Sequence, residues 1–137
     1  MKSLVFATLS SLTLLTAAAF AQSGVLVADI PFEFRVGTTL LPAGHYSVHP
    51  QASTHILSIQ CFECNAAAMI LTNGVEARKM PVTAKLVFNR YGNKYFLATV
   101  WTPGNPTGRE LPKSAAEREV ARNGSVDPPV QVALYRR

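Results

Sequence analysis

Short apolar segments alternate with turn residues through most of the chain. All nine prolines and all eight glycines follow residue 21 and interrupt the sequence every few positions. The segments between them are rich in valine, isoleucine, phenylalanine, tyrosine and threonine, which favour strands. In one segment Phe32, Phe34 and Val36 alternate with charged neighbours, a period of two that places their side chains on one face of a strand.

This pattern predicts strands at 25–30, 32–36, 45–49, 54–60, 66–72, 82–91, 94–102 and 130–135. Turns are predicted at 37–39, 42–44, 50–53, 61–64 and 73–74, most of which contain proline, glycine or asparagine. The polar stretch 75–81 and the proline- and glycine-rich stretch 102–108 are predicted to be loops.

The clearest local signal is a β-hairpin around Gly92-Asn93. A Gly-Asn pair between two strand-forming runs is typical of a two-residue hairpin loop. Such a loop places Tyr91 opposite Lys94. An uninterrupted register from that pair puts Tyr95 and Trp101 on the same face, which we interpret as the core face.

One short helix is predicted at 115–122. Ser114 and Glu117 have the spacing of a capping box, in which the serine oxygen accepts a hydrogen bond from a helix-end N–H and the glutamate reaches back to the serine backbone. Asn123-Gly124 is predicted to end the helix in a left-handed conformation. The apolar stripe of this segment consists mainly of alanine, which indicates a helix on the surface.

Together these elements predict an all-β fold, an antiparallel sandwich or small barrel of about seven or eight strands with one short C-terminal helix. The sequence does not decide between a sandwich and a barrel. Neither a repeat nor a low-complexity linker divides residues 22–137, so they are predicted to form a single domain.

The first 21 residues have the organisation of a cleavable signal peptide. An uncharged apolar stretch follows Lys2 and ends in Ala19-Phe20-Ala21, a small-x-small sequence of the type that signal peptidase recognises. An uncleaved anchor is the alternative, but a spanning helix needs about 20 apolar residues, and serine and threonine interrupt this shorter run. We therefore expect cleavage between Ala21 and Gln22, and no transmembrane segment in the chain that remains.

Charge argues against nucleic acid as a partner. The chain has 13 basic and 8 acidic side chains, and the basic residues are scattered rather than clustered. Loss of Lys2 with the signal lowers the net charge from +5 to +4, a mild excess that serves solubility.

Cys61-Phe62-Glu63-Cys64 contains the only two cysteines. A thioredoxin-type redox site needs a helix after the first cysteine, and a zinc site needs two further ligands. The sequence around the pair predicts strands on both sides, which favours a local disulfide across a tight turn in an oxidising compartment. Free thiols remain the alternative.

No catalytic or metal-binding constellation is recognisable. His45 and His49 share one face of a predicted strand, but at 3.3 Å per residue they lie about 13 Å apart, too far to bind one metal ion. The sequence also lacks the Gly-x-Ser-x-Gly motif of a nucleophile elbow. No catalytic residue, cofactor or metal ligand is therefore predicted.

Four residues form the candidate ligand surface: Arg90, Tyr95, Trp101 and Arg109. The two arginines lie near predicted turns, where a guanidinium can recognise a ligand or simply bond to turn backbone. The two aromatic residues can line a pocket or fill the core.

Several segments resemble a family of small secreted β-rich proteins of unknown function, found mainly in acidobacteria. They are Ile30–Gly37, Leu41–Val48, Lys85–Leu97 and Gly108–Ser114 with the following Glu117–Glu119. The resemblance implies export and a bacterial envelope setting, and it implies no activity.

The sequence thus predicts a secreted or periplasmic module that is non-catalytic and binds a small ligand, a glycan or a protein partner. The first alternative is a small exported enzyme whose site is assembled from distant residues. The second is a structural or adhesive surface protein that pairs with another chain through a sheet edge.

Overall fold

The computed structural model describes residues 25–51 and 53–137. The predicted signal peptide, residues 1–21, and its cleavage site between Ala21 and Gln22 lie outside the described residues.

Strands make up most of the described chain, and they are short. In chain order they are β1 (Leu26–Ile30), β2 (Phe34–Val36), β3 (Thr39–Leu41), β4 (Gly44–Pro50), β5 (Ile56–Cys61), β6 (Ala67–Leu71), β7 (Asn73–Glu76), β8 (Lys85–Tyr91), β9 (Lys94–Trp101), β10 (Thr107–Glu110), β11 (Asp127–Ala133) and β12 (Tyr135–Arg136). The described residues contain one helix, α1 (Ala115–Asn123), between β10 and β11.

The strands form two sheets. In the first, the order is β12-β1-β4-β5-β6, and every neighbouring pair is antiparallel. In the second, the order is β11-β8-β9-β10-β7, and β2 joins β9 in parallel while pairing with β3 on its other side. The predicted all-β class is therefore confirmed. Because the two sheets do not close on one another, the fold is a sandwich rather than a barrel.

The described chain has more strands than the seven or eight predicted. The additional ones, β3, β7, β10 and β12, are two to four residues long. Alternation of apolar and polar residues cannot be recognised over so few positions. β7, β10 and β12 pair with strands that are distant in the chain, whereas β3 pairs with β2 across a two-residue turn.

The hydrophobic core lies between the sheets and is aromatic at its centre. Phe34 is 1% exposed, and its ring meets Tyr46 of the first sheet at 5.1 Å and Phe88 of the second at 5.4 Å, both edge to face. The hydroxyl of Tyr46 donates a hydrogen bond to the carbonyl oxygen of Pro42. Phe34 therefore contacts both layers of the sandwich, and the buried tyrosine keeps a hydrogen-bond partner.

The hairpin of β8 and β9 confirms the predicted two-residue loop. Gly92 has a φ of 65°, a left-handed conformation that glycine adopts without strain, and Tyr91 pairs with Lys94. The register continues as predicted as far as Phe88 opposite Leu97.

Beyond that pair the register differs from the prediction. Val87 pairs with Thr99, so Ala98 is an extra residue in β9 and forms a β-bulge. Because side chains alternate along a strand, one extra residue exchanges the two faces of everything that follows. Trp101 consequently pairs with Lys85 on the outer face, and Val100 enters the core in its place. The prediction that Tyr95 and Trp101 share a face is wrong.

The segment predicted as a turn and loop at 73–81 begins with a strand. Asn73 to Glu76 form β7, which pairs with β10 along its whole length, from Asn73 opposite Glu110 to Glu76 opposite Thr107. The Asn-Gly dipeptide resembles a turn in sequence, but here its backbone is extended because β10 supplies hydrogen-bond partners. The predicted loop at 102–108 is also shorter than expected, because its last two residues belong to β10, which pairs with β7.

The C-terminal strands also differ from the prediction of a single strand at 130–135. β11 begins at Asp127 and contains Pro128 and Pro129, where its register against β8 shifts. Proline is tolerated at such a position because β11 is an edge strand with a bulge.

The helix lies where it was predicted, but its ends differ. The Ser114 Oγ accepts a hydrogen bond from the Glu117 backbone N–H at 3.2 Å, as in an N-cap. The Glu117 side chain, however, turns to the sheet instead of back to the serine. Gly124 has φ −136° and ψ 169°, so the helix ends in extended backbone and the predicted left-handed stop is wrong.

Candidate ligand-binding groove

A groove of about 480 Å³ lies between α1 and the outer face of the second sheet. On the sheet side it is lined by Glu33, Arg35, Leu40, Lys94, Tyr95 and Phe96. On the helix side it is lined by Ala116, Glu119, Val120 and Asn123. Its volume is in the range of pockets that hold small organic ligands, typically about 300–1,000 Å³.

The floor of the groove crosses three strands. Arg35 pairs with Phe96 across the parallel contact of β2 with β9, and with Leu40 across the antiparallel contact of β2 with β3. Cross-strand partners share a face, so these three side chains form one row. Phe96 is buried and Leu40 is 47% exposed, so the row runs from an aromatic floor to an open aliphatic edge.

The wall of the groove is held by a buried carboxylate. Glu117 is 4% exposed and accepts hydrogen bonds from Asn89 Nδ2 at 2.8 Å and from the Tyr91 hydroxyl at 3.1 Å. Burial, and secondarily the charge of Glu117, raises the pKa of the Tyr91 phenol, which keeps it a donor. These two bonds fix the separation between α1 and β8 and so set the width of the groove.

The charged side chains of the groove are of both signs. Arg35 is half-buried, whereas Lys94, Glu33 and Glu119 are exposed. Within the described residues, neither Arg35 nor Lys94 takes part in an ion pair or a side-chain hydrogen bond. A partly desolvated guanidinium without an anionic partner favours a bound anion, because such a group loses hydration without gaining a compensating bond.

Two of the four residues predicted to form a ligand surface lie together. The Arg90 Nε donates to the Gly92 carbonyl oxygen at 2.8 Å, and its guanidinium lies 5.7 Å from the centre of the Tyr95 ring. Tyr95 borders the groove, but its ring stacks on Phe32 at 3.9 Å. Arg90 therefore supports the hairpin turn, and Tyr95 contributes mainly to packing.

The other two residues lie elsewhere. Trp101 lies on the outer face of β9, packed against the backbone of Gly108. The Arg109 side chain lies 2.7 Å from the Nδ1 of His55, the last residue of the β4–β5 connection. The four predicted residues therefore do not form one surface, and only Tyr95 lies at the groove.

Sequence reasoning missed the residues that define the groove. Arg35 occupies the polar side of a predicted strand, and Lys94 follows a predicted turn, positions where a basic residue usually faces solvent. Both line the groove because β2 pairs in parallel with β9, a contact between segments far apart in the chain. No local signal predicts such a pair.

A second polar cluster lies on the outer face of the first sheet. The Asp29 carboxylate bonds to the His45 Nδ1, and the Tyr135 hydroxyl donates to both carboxylate oxygens at 3.2 Å. The hydrogen bond to Asp29, followed by the charge of that carboxylate, raises the pKa of His45 above its ordinary value of 6.5. Asp29 and His45 are opposite each other on β1 and β4, which explains the contact.

We expect NMR titration of the His45 ring to give a pKa above 6.5, and replacement Asp29→Asn to lower it. Because the folded pKa is raised, protonated His45 contributes stability that is fully present below 6.5 and is lost as pH rises through the folded pKa. Asp127→Asn is the matched control, since the Asp127 carboxylate accepts from the Gly92 N–H instead. Identical His45 titrations in the native and Asp29→Asn chains would contradict this assignment.

The cysteine pair lies at the end of β5. The sulfur atoms of Cys61 and Cys64 are at disulfide-bonding distance, with their Cα atoms 5.6 Å apart, as the sequence predicted. The pair packs beside Gly44, where an added Cβ would lie 3.4 Å from the Cys61 sulfur. This turn therefore sits closely against the start of β4.

Among the described residues, no three histidine, cysteine, aspartate or glutamate side chains gather where they could hold a metal ion. Within the same ranges, 25–51 and 53–137, no helix has the length and apolar character required to cross a membrane. Comparisons of the chain with models of protein families, with curated proteins and with solved structures give no match.

Proposed function

We propose that this chain is an exported, non-catalytic binding module whose ligand lies in the groove between α1 and the second sheet. The half-buried, unpartnered guanidinium of Arg35 beside the apolar row of Phe96 and Leu40 is the observation that carries the proposal. The ligand class is a small amphipathic molecule with an anionic group directed to Arg35 and an apolar part lying over that row.

The balance of charges supports an anionic group over a cationic one. Glu33 and Glu119 are exposed and keep their hydration, whereas Arg35 has lost part of its own. An anion therefore recovers more free energy at Arg35 than a cation does at either carboxylate. The two carboxylates restrict the site to ligands with few negative charges.

Export is supported by the N-terminal signal pattern and by the resemblance to small secreted proteins. The close pair of cysteines fits an oxidising compartment, where such a turn is held by a disulfide. A secreted or periplasmic binding module accounts for all three observations.

The test uses the full-length precursor expressed in a bacterial host and the protein recovered from the exported fraction. Native mass spectrometry gives the start of the mature chain and any adduct retained through purification. Binding of medium-chain carboxylates is then followed by NMR, and the proposal predicts shifts concentrated at Arg35, Leu40 and Phe96.

Arg35→Gln is expected to weaken carboxylate binding by about tenfold, because it removes a charge-assisted hydrogen bond and keeps much of the side-chain stem. Arg78→Gln removes the same charge from an exposed position outside the groove and is expected to leave binding unchanged. Equal losses in the two variants, or shifts spread evenly over the surface, would contradict the groove as the site.

A further inference from the structure

The edge strand β6 is the most apolar exposed edge of the sandwich. It ends the first sheet beyond β5, and its sequence Ala-Ala-Met-Ile-Leu has no charged residue. Met69 is 71% exposed and Leu71 is 67% exposed, both on the outer face. This strand shares no residue with the ligand groove.

The pairing with β5 shows which backbone groups of β6 face outward. The Cys61 N–H donates to the Ala66 carbonyl and the Thr72 N–H donates to the His55 carbonyl. In an antiparallel ladder every second residue bonds to the same neighbour, so 66, 68, 70 and 72 face β5. Ala67, Met69 and Leu71 consequently present their N–H and C=O groups to the open side of the sheet.

The other sheet edges in the described residues carry features that prevent further pairing. β12 is two residues long and contains Arg136, and β11 contains two prolines with a register shift. β7 contains Glu76 and leads into Arg78 and Lys79, and β3 is three residues long. Charges, prolines, bulges and short length are the usual protection of an edge, and β6 has none of them.

The sequence of β6 is complementary to itself. When two copies run antiparallel about a two-fold axis at Met69, Ala67 lies opposite Leu71 and Ala68 lies opposite Ile70. Each small side chain then meets a large one, and no like charges meet. The same axis places the outward-facing residues in hydrogen-bonded pairs, which gives six backbone hydrogen bonds between the two chains.

We propose that two copies of this chain associate through β6, joining their first sheets into one continuous sheet across a two-fold axis at Met69. A depression of about 250 Å³ lies beside Met69 and Ile70, and its other walls are the β2–β3 turn and residues 112–114. A pair of five-residue strands is a small interface, so the dimer forms reversibly and with modest affinity.

Sedimentation velocity of the full mature chain over a range of concentrations tests the proposal. The native chain is expected to change from monomer to dimer as concentration rises. Met69→Lys is expected to raise the dimer dissociation constant at least about tenfold, because it places two ammonium groups opposite each other. Val82→Lys introduces the same charge at an exposed position outside the strands and is expected to dimerise like the native chain.

A charge exchange tests the register as well as the surface. Met69→Glu alone is expected to weaken dimerisation as Met69→Lys does, whereas an equimolar mixture of the two variants recovers it, because residue 69 of one copy faces residue 69 of the other. Circular dichroism of each variant establishes that the fold is retained.

Three results would overturn the proposal. The first is that the native chain stays monomeric up to about 1 mM. The second is that the Met69→Lys chain dimerises as readily as the Val82→Lys chain. The third is that a mixture of the two charge variants associates no better than either variant alone. Each leaves the ligand groove unaffected, since binding there is measured separately.

Discussion

Replacement of Phe34 by alanine is expected to lower the free energy of unfolding by about 3–5 kcal/mol. Phe34 is fully buried and contacts Tyr46 in one sheet and Phe88 in the other, so truncation opens a cavity at the centre of the sandwich. Denaturant unfolding followed by tyrosine and tryptophan fluorescence measures the change. A loss of this size is a large part of the roughly 5–15 kcal/mol that stabilises a typical domain.

Phe62→Ala is the matched control for that substitution. It makes the same change of side chain at an exposed position in the turn between the two cysteines, where no core contact is lost. We expect its effect to be within about 0.5 kcal/mol. If both variants were destabilised equally, the central position of Phe34 in the core would be wrong.

The second large effect is expected at Gly108, where Gly108→Ala should destabilise the fold by about 1–3 kcal/mol. A Cβ at this position would lie 2.5 Å from the Trp101 ring, closer than non-bonded carbon atoms approach one another in folded proteins. The ring lies on the outer face of the sheet against Gly108, so it must shift to make room. Thermal unfolding compares the variant with the native chain.

Gly124→Ala separates this steric effect from the general effect of replacing glycine. Gly124 has extended backbone, and its added Cβ would approach no atom closer than 3.5 Å, so the substitution should be neutral or slightly stabilising. The cost of Gly108→Ala should also fall when Trp101 is first changed to valine, because the obstructing ring is then gone. An unchanged cost in that background would refute the steric explanation.

Much of the fold could be predicted from local patterns. The strand containing Phe34 and Val36 follows from alternation, and the β8–β9 hairpin follows from the Gly-Asn loop together with the strand-forming residues around it. The helix follows from Ser114 as its N-cap. These features depend on residues close together in the chain, which is why single-sequence reasoning reaches them.

The faces of β9 could not be predicted because they depend on one residue that has no partner on β8. Ala98 carries no mark of a bulge, yet it exchanges the positions of Val100 and Trp101 relative to the core. The bulge forms because the whole of β9 must match β8 on one side and β10 on the other. This match exists only in the assembled sheet, so the sequence of β9 alone does not reveal it.

The candidate site was predicted less well than the fold. Arg90 and Arg109 were selected for their positions near turns, and the structure gives each a partner within the protein, the Gly92 carbonyl for the first and His55 for the second. The groove instead depends on Arg35 and Lys94, which line it together because β2 pairs in parallel with β9. Parallel pairs join segments that are distant in sequence, so their consequences are invisible before the topology is known.

The uneven protection of the sheet edges limits how far this protein can polymerise. A fibre requires two adhesive ends on every molecule, so that each addition leaves a new end for the next. Among the described strands only β6 is an edge without such protection. A molecule that has paired through β6 exposes its other edge strands, such as β11, which contains two prolines, and β12, which is two residues long and contains an arginine. Growth by strand addition therefore ends after one step, and even at high concentration the chain should give small particles of defined size instead of filaments.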